Sequence, residues 1–139
     1  TSLSQSLSGI DITGDQRGAA FSDYNRDGKV DLLVGQNNGQ SKLYQNRNAK
    51  RGLIVQLKGL KNNPKAIGAK IQLVSMYKKG PIREVKCGGG YRSQDSAFQV
   101  LSLNDPSLNK VRVIWPNSKI SETSFSHDSK IIKIEEPSK

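Results

Sequence analysis

Asp23, Asn25, Asp27 and Asp31 occupy positions 1, 3, 5 and 9 of the segment Asp23-Tyr24-Asn25-Arg26-Asp27-Gly28-Lys29-Val30-Asp31. Oxygen-bearing side chains at alternate positions of a tight loop can converge on its inner side, which is the chemistry a hard cation requires. Ca2+ takes six to eight oxygens in a flexible geometry, whereas Mg2+ demands a strict octahedron and holds its water. The four side chains, the main-chain carbonyl of Lys29 and water would supply most of a calcium shell. Gly28 follows the third ligand, where the chain must reverse in a conformation that costs glycine nothing. An EF-hand is excluded, since position 12 is Val34 rather than Glu and the residues after Gly28 alternate as a strand. Three carboxylates this close repel when empty, so the expected role of the ion is structural: it orders the loop. Asp-Gly is also a strong hairpin signal, and a metal-free turn between two strands is the competing reading.

A second chemistry lies in the charge. The chain carries 22 Lys and Arg against 12 Asp and Glu, net +10. Residues 42 to 92 hold 13 of the bases and one acid, Glu84. Such a field attracts polyanions, and the expected contacts are Lys58, Lys61, Lys65, Lys78, Lys79, Arg83 and Arg92, with an acidic glycan or acidic protein as partner. The bland alternative is a solvated basic face. Nucleic acid is the weaker partner class: no reader motif accompanies the charge, and only Tyr44, Tyr77 and Tyr91 interleave with it.

Catalysis has little material. Cys87 is the sole cysteine and His127 the sole histidine, so an internal disulfide and a Cys/His zinc site are both excluded. A Cys87 nucleophile with His127 as base is the remaining possibility. Cys87 reads instead as a small buried residue at a strand end, and His127, between Ser126 and Asp128, as an exposed turn. Gly88-Gly89-Gly90 lacks the Lys-Ser/Thr of a P-loop. Trp115 and Tyr91 read as core and corner residues. The expectation is a protein that is not an enzyme.

These groups need a frame, and the patterning supplies one. The 139 residues, 34% of them apolar, allow one domain or a small domain with a fragment of a neighbour. No apolar run approaches the roughly 20 residues of a membrane helix. Strand patterns occur at residues 53–58, 69–76, 82–87, 98–103, 110–115 and 130–134. Turn formers separate them: Asn62-Asn63-Pro64, Lys79-Gly80-Pro81, Gly88-Gly89-Gly90, Asn104-Asp105-Pro106 and Pro116-Asn117-Ser118. The expected fold is all-β, a blade or hairpin beside an antiparallel sandwich or barrel, with any helix no more than a short turn. The polar stretch 46–51 separates an expected N-terminal unit, 1–49, from a C-terminal one, 50–139. A start at Thr1 without a charged and apolar leader suggests excision from a longer chain, and any export signal would be lost with that cut.

Residues 18–34, Gly18-Ala19-Ala20-Phe21-Ser22 followed by the carboxylate segment and Leu32-Leu33-Val34, resemble one FG-GAP repeat, with Asn37-Asn38-Gly39-Gln40 and Leu43-Tyr44-Gln45-Asn46 similar to a closing hairpin. The remainder resembles the ASPIC/UnbV domain of cartilage acidic protein-like and bacterial secreted proteins. That second likeness rests on Asn63, Ala66-Ile67-Gly68-Ala69-Lys70-Ile71, Arg83-Glu84-Val85, residues 88–91 with Ser93-Gln94, and Val111-Arg112-Val113-Ile114-Trp115-Pro116. Ser102-Leu103-Asn104 and Asn117-Ser118 depart from the glycines that family shows at those turns. The first resemblance implies one blade of a calcium-binding propeller, with Asp23, Asn25, Asp27 and Asp31 as ligands. Both imply a secreted, periplasmic or cell-surface location. A lone blade leaves faces uncovered, so the remaining blades of a parent chain or self-association are implied as partners.

Overall fold

Short β-branched segments broken by Gly, Pro and Asn can bury their apolar groups only by pairing into sheets, and the chain does so. The computed structural model describes residues 5–138; residues 1–4 and 139, at the outer ends of the expected units, lie outside the described residues. Among these, one helical turn α1 (Gln5–Ser8) precedes strands β1 (Asp15–Ser22), β2 (Asp31–Asn37), β3 (Lys42–Tyr44), β4 (Leu53–Lys58), β5 (Lys70–Val74), β6 (Lys79–Glu84), β7 (Gln99–Leu101), β8 (Lys110–Ile114), β9 (Ile120–Ser124) and β10 (Ile131–Glu135). Among the described residues, no helix is long and apolar enough to cross a membrane.

The strands form three sheets, none closed into a barrel: β1-β2-β3, β10-β4-β7 and β6-β5-β8-β9. The first and third are antiparallel throughout. The second is mixed, because β10 runs parallel to β4 from Ile131↔Ile54 to Glu135↔Lys58 while β7 is antiparallel. The second and third sheets share one core. Alternate residues Leu53, Val55 and Leu57 of β4 meet Ile71 and Leu73 of β5, Val111 and Val113 of β8, and Trp115. Each such side chain contributes on the order of 1.5–3 kcal/mol by leaving water. Trp115 is buried as expected, and its indole N–H donates to Ser121 Oγ at 2.8 Å.

Three local expectations are corrected. Lys79-Gly80-Pro81 is not a turn but the start of β6; the reversal lies at residues 75–78, where the Ser75 amide donates to the Lys78 carbonyl at 2.8 Å. Strand geometry survives there because β6 is an edge strand, where a proline costs no ladder bond. Gln72 Nε2 also holds the Gly80 carbonyl at 2.6 Å, beside a register shift between Gln72 and Val74. Cys87 is exposed rather than buried, because the chain leaves the core after Val85. Tyr91 is likewise exposed, lying beneath the Arg92 guanidinium at 5.4 Å instead of filling a corner.

Candidate functional site

The carboxylate loop joins β1 to β2, so antiparallel pairing down to Ser22↔Asp31 brings the first and last oxygen donors together. Asp23 and Asp31 are 1% and 2% exposed, although each is a carboxylate. Asp23 turns inward and accepts the amides of Asp27 (3.0 Å, Oδ1) and Gly28 (2.8 Å, Oδ2). Asp31 accepts the Tyr24 amide at 3.2 Å and the Asn46 amide at 2.8 Å. Asn25 and Asp27 sit nearer the surface: the Asp27 amide also donates to Asn25 Oδ1 (3.2 Å), Asn25 Nδ2 to Asp27 Oδ2 (3.1 Å), and the Lys29 amide to Asp27 Oδ1 (2.9 Å). The four oxygen-bearing side chains named from the sequence therefore belong to one hydrogen-bonded loop. Among the described residues, no three His, Cys, Asp or Glu side chains are already gathered as a metal-holding group.

Backbone conformation explains the glycine. Gly28 has φ +85° and Arg26 φ 59°, both left-handed, and two such residues in three let the chain reverse tightly enough to direct its amides at Asp23. Tyr24 and Arg26 are exposed, and Lys29 Nζ reaches the Arg47 carbonyl at 2.7 Å. The intervening side chains thus leave the inner side of the loop to the oxygens. A strand, β2, follows the loop where an EF-hand would have a helix.

Two residues that the sequence did not single out fasten this loop. Asn46 donates its amide to Asp31 and its Nδ2 to the Val30 carbonyl (3.2 Å), and accepts from the Ala49 amide (3.1 Å). Asp95 accepts the Phe21 amide at 2.8 Å, and the Ser96 amide donates to the Phe21 carbonyl at 3.2 Å, which joins β1 to the segment ahead of β7. The partners stand 74 residues apart, and no local pattern announces such a contact.

The seven basic residues expected to meet a polyanion do not form one cluster. Lys58 is ion-paired to Glu135 at 2.9 Å and Lys78 to Asp105 at 2.5 Å. Lys61, Lys65, Lys79, Arg83 and Arg92 are exposed and, among the described residues, have no acidic partner within ion-pair distance. Lys78, Lys79 and Arg83 line one depression, while Lys65 lines another beside Phe21, Leu33 and Leu43. Cys87 and His127 engage different groups: Cys87 Sγ lies 3.9 Å from Gln94 Oε1, and His127 Nε2 lies 3.1 Å from the Leu108 carbonyl.

A family model described as ASPIC and UnbV matches residues 59–139. The comparison with curated proteins gives no match. The matched span begins one residue after β4, the strand that pairs with both β10 and β7, so the sheet it needs is completed by residues just ahead of it. Since the match covers more than half of the chain, the protein belongs to the ASPIC and UnbV family.

Proposed function

We propose that the chain is a calcium-stabilised, non-enzymatic β module of a secreted, periplasmic or cell-surface protein, in which an FG-GAP-like N-terminal unit holds the ion and the basic surface takes an acidic partner such as a polyanionic glycan. The observation that carries this reading is charge without counter-charge. Asp23 and Asp31 are buried with no cation in ion-pair reach among the described residues, and buried carboxylates are ordinarily paired or metal-bound. On the opposite side of the balance, Lys61, Lys65, Lys79, Arg83 and Arg92 are exposed and, among the described residues, have no acid within ion-pair distance.

The donor set suits calcium. Asp23, Asn25, Asp27 and Asp31 offer hard oxygens, and a carboxylate oxygen that accepts one amide bond retains a further lone pair. A bound ion would supply the positive charge the loop lacks and hold the β1–β2 connection in one conformation. The amide bonds from Asp27 and Gly28 orient Asp23, and those from Tyr24 and Asn46 orient Asp31. For the partner, exposed lysines act as a screened positive field, giving attraction that weakens with salt.

Retention on a heparin column tests the binding half. Elution should move to lower salt for Lys61→Ala and Lys65→Ala, and less for Lys58→Ala, whose charge Glu135 already offsets. Equal retention of all three variants and the wild type would favour a second reading, a structural cap that closes a propeller. That reading has its own support: Ala20, Leu33 and Leu43 align across β1, β2 and β3, and the two leucines are 46% and 51% exposed, a stripe suited to a neighbouring blade or a second copy.

A further inference from the structure

The edge strand β6 and the edge strand β7 face a depression of about 390 Å3 whose floor is apolar and whose rim is cationic. Its apolar lining is Leu73, Leu101 and Leu108, all buried, with Pro81 exposed beside them. Leu73, Leu101 and Leu108 belong to the shared core, so this is a place where the core opens to the surface. At Gly80 the strand lies close on two of these leucines: a Cβ there would stand 3.3 Å from both Leu108 Cδ1 and the Leu73 carbonyl. Ser102 and Asn104 add neutral polar groups at the mouth.

The charges at the rim are unequal in availability. Lys78 is engaged by Asp105, the one acid of the lining. The Lys78 and Ser107 bonds hold the Asp105 carboxyl down to about 2, so it stays ionised and continues to occupy Lys78. Lys79 and Arg83 have neither an ion pair nor a side-chain hydrogen bond among the described residues. Arg83 also borders two neighbouring hollows, of about 440 and 290 Å3. Those hollows are lined by acids, which disfavour an anion: Glu84 and Asp95 in the larger, Asp95 and the buried Asp23 in the smaller.

We propose that the depression between β6 and β7 is a binding site for a small amphiphilic monoanion, an apolar body carrying one carboxylate, with the body on Leu73, Pro81, Leu101 and Leu108 and the carboxylate on Arg83 and Lys79. The volume lies within the roughly 300–1,000 Å3 range of small-molecule sites, which combine mostly apolar walls with a few converging polar groups. A guanidinium presents two parallel N–H donors to a carboxylate, and an ammonium adds a point charge. A sulfated glycan matches the rim but has no apolar body for the floor. Lys58, Lys61 and Lys65, the residues varied in the heparin experiment, do not line this depression, so that experiment can fail without affecting it.

The test is an NMR amide titration of the intact chain with octanoate, 1-octanol, acetate and a heparin oligosaccharide. Octanoate should saturate with shifts centred on Gly80, Ser102 and Asn104, while acetate produces shifts at least tenfold weaker at equal concentration. Lys79→Gln with Arg83→Gln should weaken octanoate at least about tenfold, as loss of charge-assisted bonds does, and change 1-octanol less than twofold. Ser102→Phe, which fills the mouth from an exposed position, should abolish both. Shifts scattered over the surface, octanoate binding that the double variant leaves unchanged, or a heparin oligosaccharide that moves these amides more strongly than octanoate would each overturn the assignment.

Discussion

The Gly52 amide donates to the Gly28 carbonyl across 2.8 Å, so the carboxylate loop is fastened to the residue that leads into β4, the central strand of its sheet. The loop is therefore part of the junction between the N-terminal sheet and the shared core. Whatever orders residues 23–31 also orders that junction.

Replacing Gly28 should expose this coupling. A Cβ at Gly28 would stand 2.5 Å from Arg51 Cγ and 2.9 Å from the Gly52 carbonyl oxygen, at a φ of +85° that side chains rarely adopt. Arg51 is flexible, but the Gly52 carbonyl is backbone at the start of a core strand. Gly28→Ala should cost about 2 kcal/mol or more, combining left-handed strain with a backbone displacement. Urea unfolding measures it; a midpoint within error of the wild type would mean the loop is not tied to the core.

Asn63 should behave as a staple for the loop between β4 and β5. Its side chain accepts from the Ile67 amide at 3.0 Å and donates to the Ile67 carbonyl at 2.9 Å, while its own carbonyl accepts the Ala66 amide at 2.9 Å. Asn63→Ala leaves both main-chain groups of a half-buried residue without partners, which costs about 1–3 kcal/mol. Hydrogen exchange of the Ile67 amide should accelerate in step with that loss, and unchanged protection would contradict the assignment.

Asp105 gives a defined pH response. Lys78 foremost, then the hydroxyl and amide of Ser107, lower its pKa from 3.8 to about 2. A depressed folded-state value means that the stabilisation is complete above the ordinary carboxylate range and is lost as pH falls through about 2. A carboxyl 13C titration should find the Asp105 midpoint near 2, moving back toward the ordinary range in Lys78→Met. A wild-type midpoint near 4 would contradict the pairing.

How far the sequence reaches can be seen strand by strand. The Leu53 to Lys58 strand is legible to the residue because its β-branched residues and the alternation through Leu57 and Lys58 read as a strand, and β4 has those bounds. β9 has no such signal: Ile120-Ser121-Glu122-Thr123-Ser124 is polar, its alternation is shallow, and Ile120 itself is 60% exposed. Lys79-Gly80-Pro81 carries turn composition yet forms an edge strand, where the position in the sheet overrides local preference. The parallel β10–β4 pairing links residues 77 apart in sequence and has no local signature. At the candidate site the donor types and spacing are local and readable. The burial of Asp23 and Asp31, the part of Asn46 and the contact of Asp95 with Phe21 are products of tertiary packing and are not.

The most direct test of the account is thermal melting of the intact chain across a calcium titration, with Asp27→Ala alongside. Ca2+ held by the Asp23–Asp31 loop in the folded state alone should raise the melting temperature in proportion to the logarithm of its concentration, with a gain of about 2.7 kcal/mol at a hundredfold excess over Kd. Asp27→Ala should remove most of that gain, and Mg2+ at the same concentration should give less. Melting curves that superimpose in calcium and in chelator, or an equal gain in Asp27→Ala, would contradict the claim that this loop holds the ion.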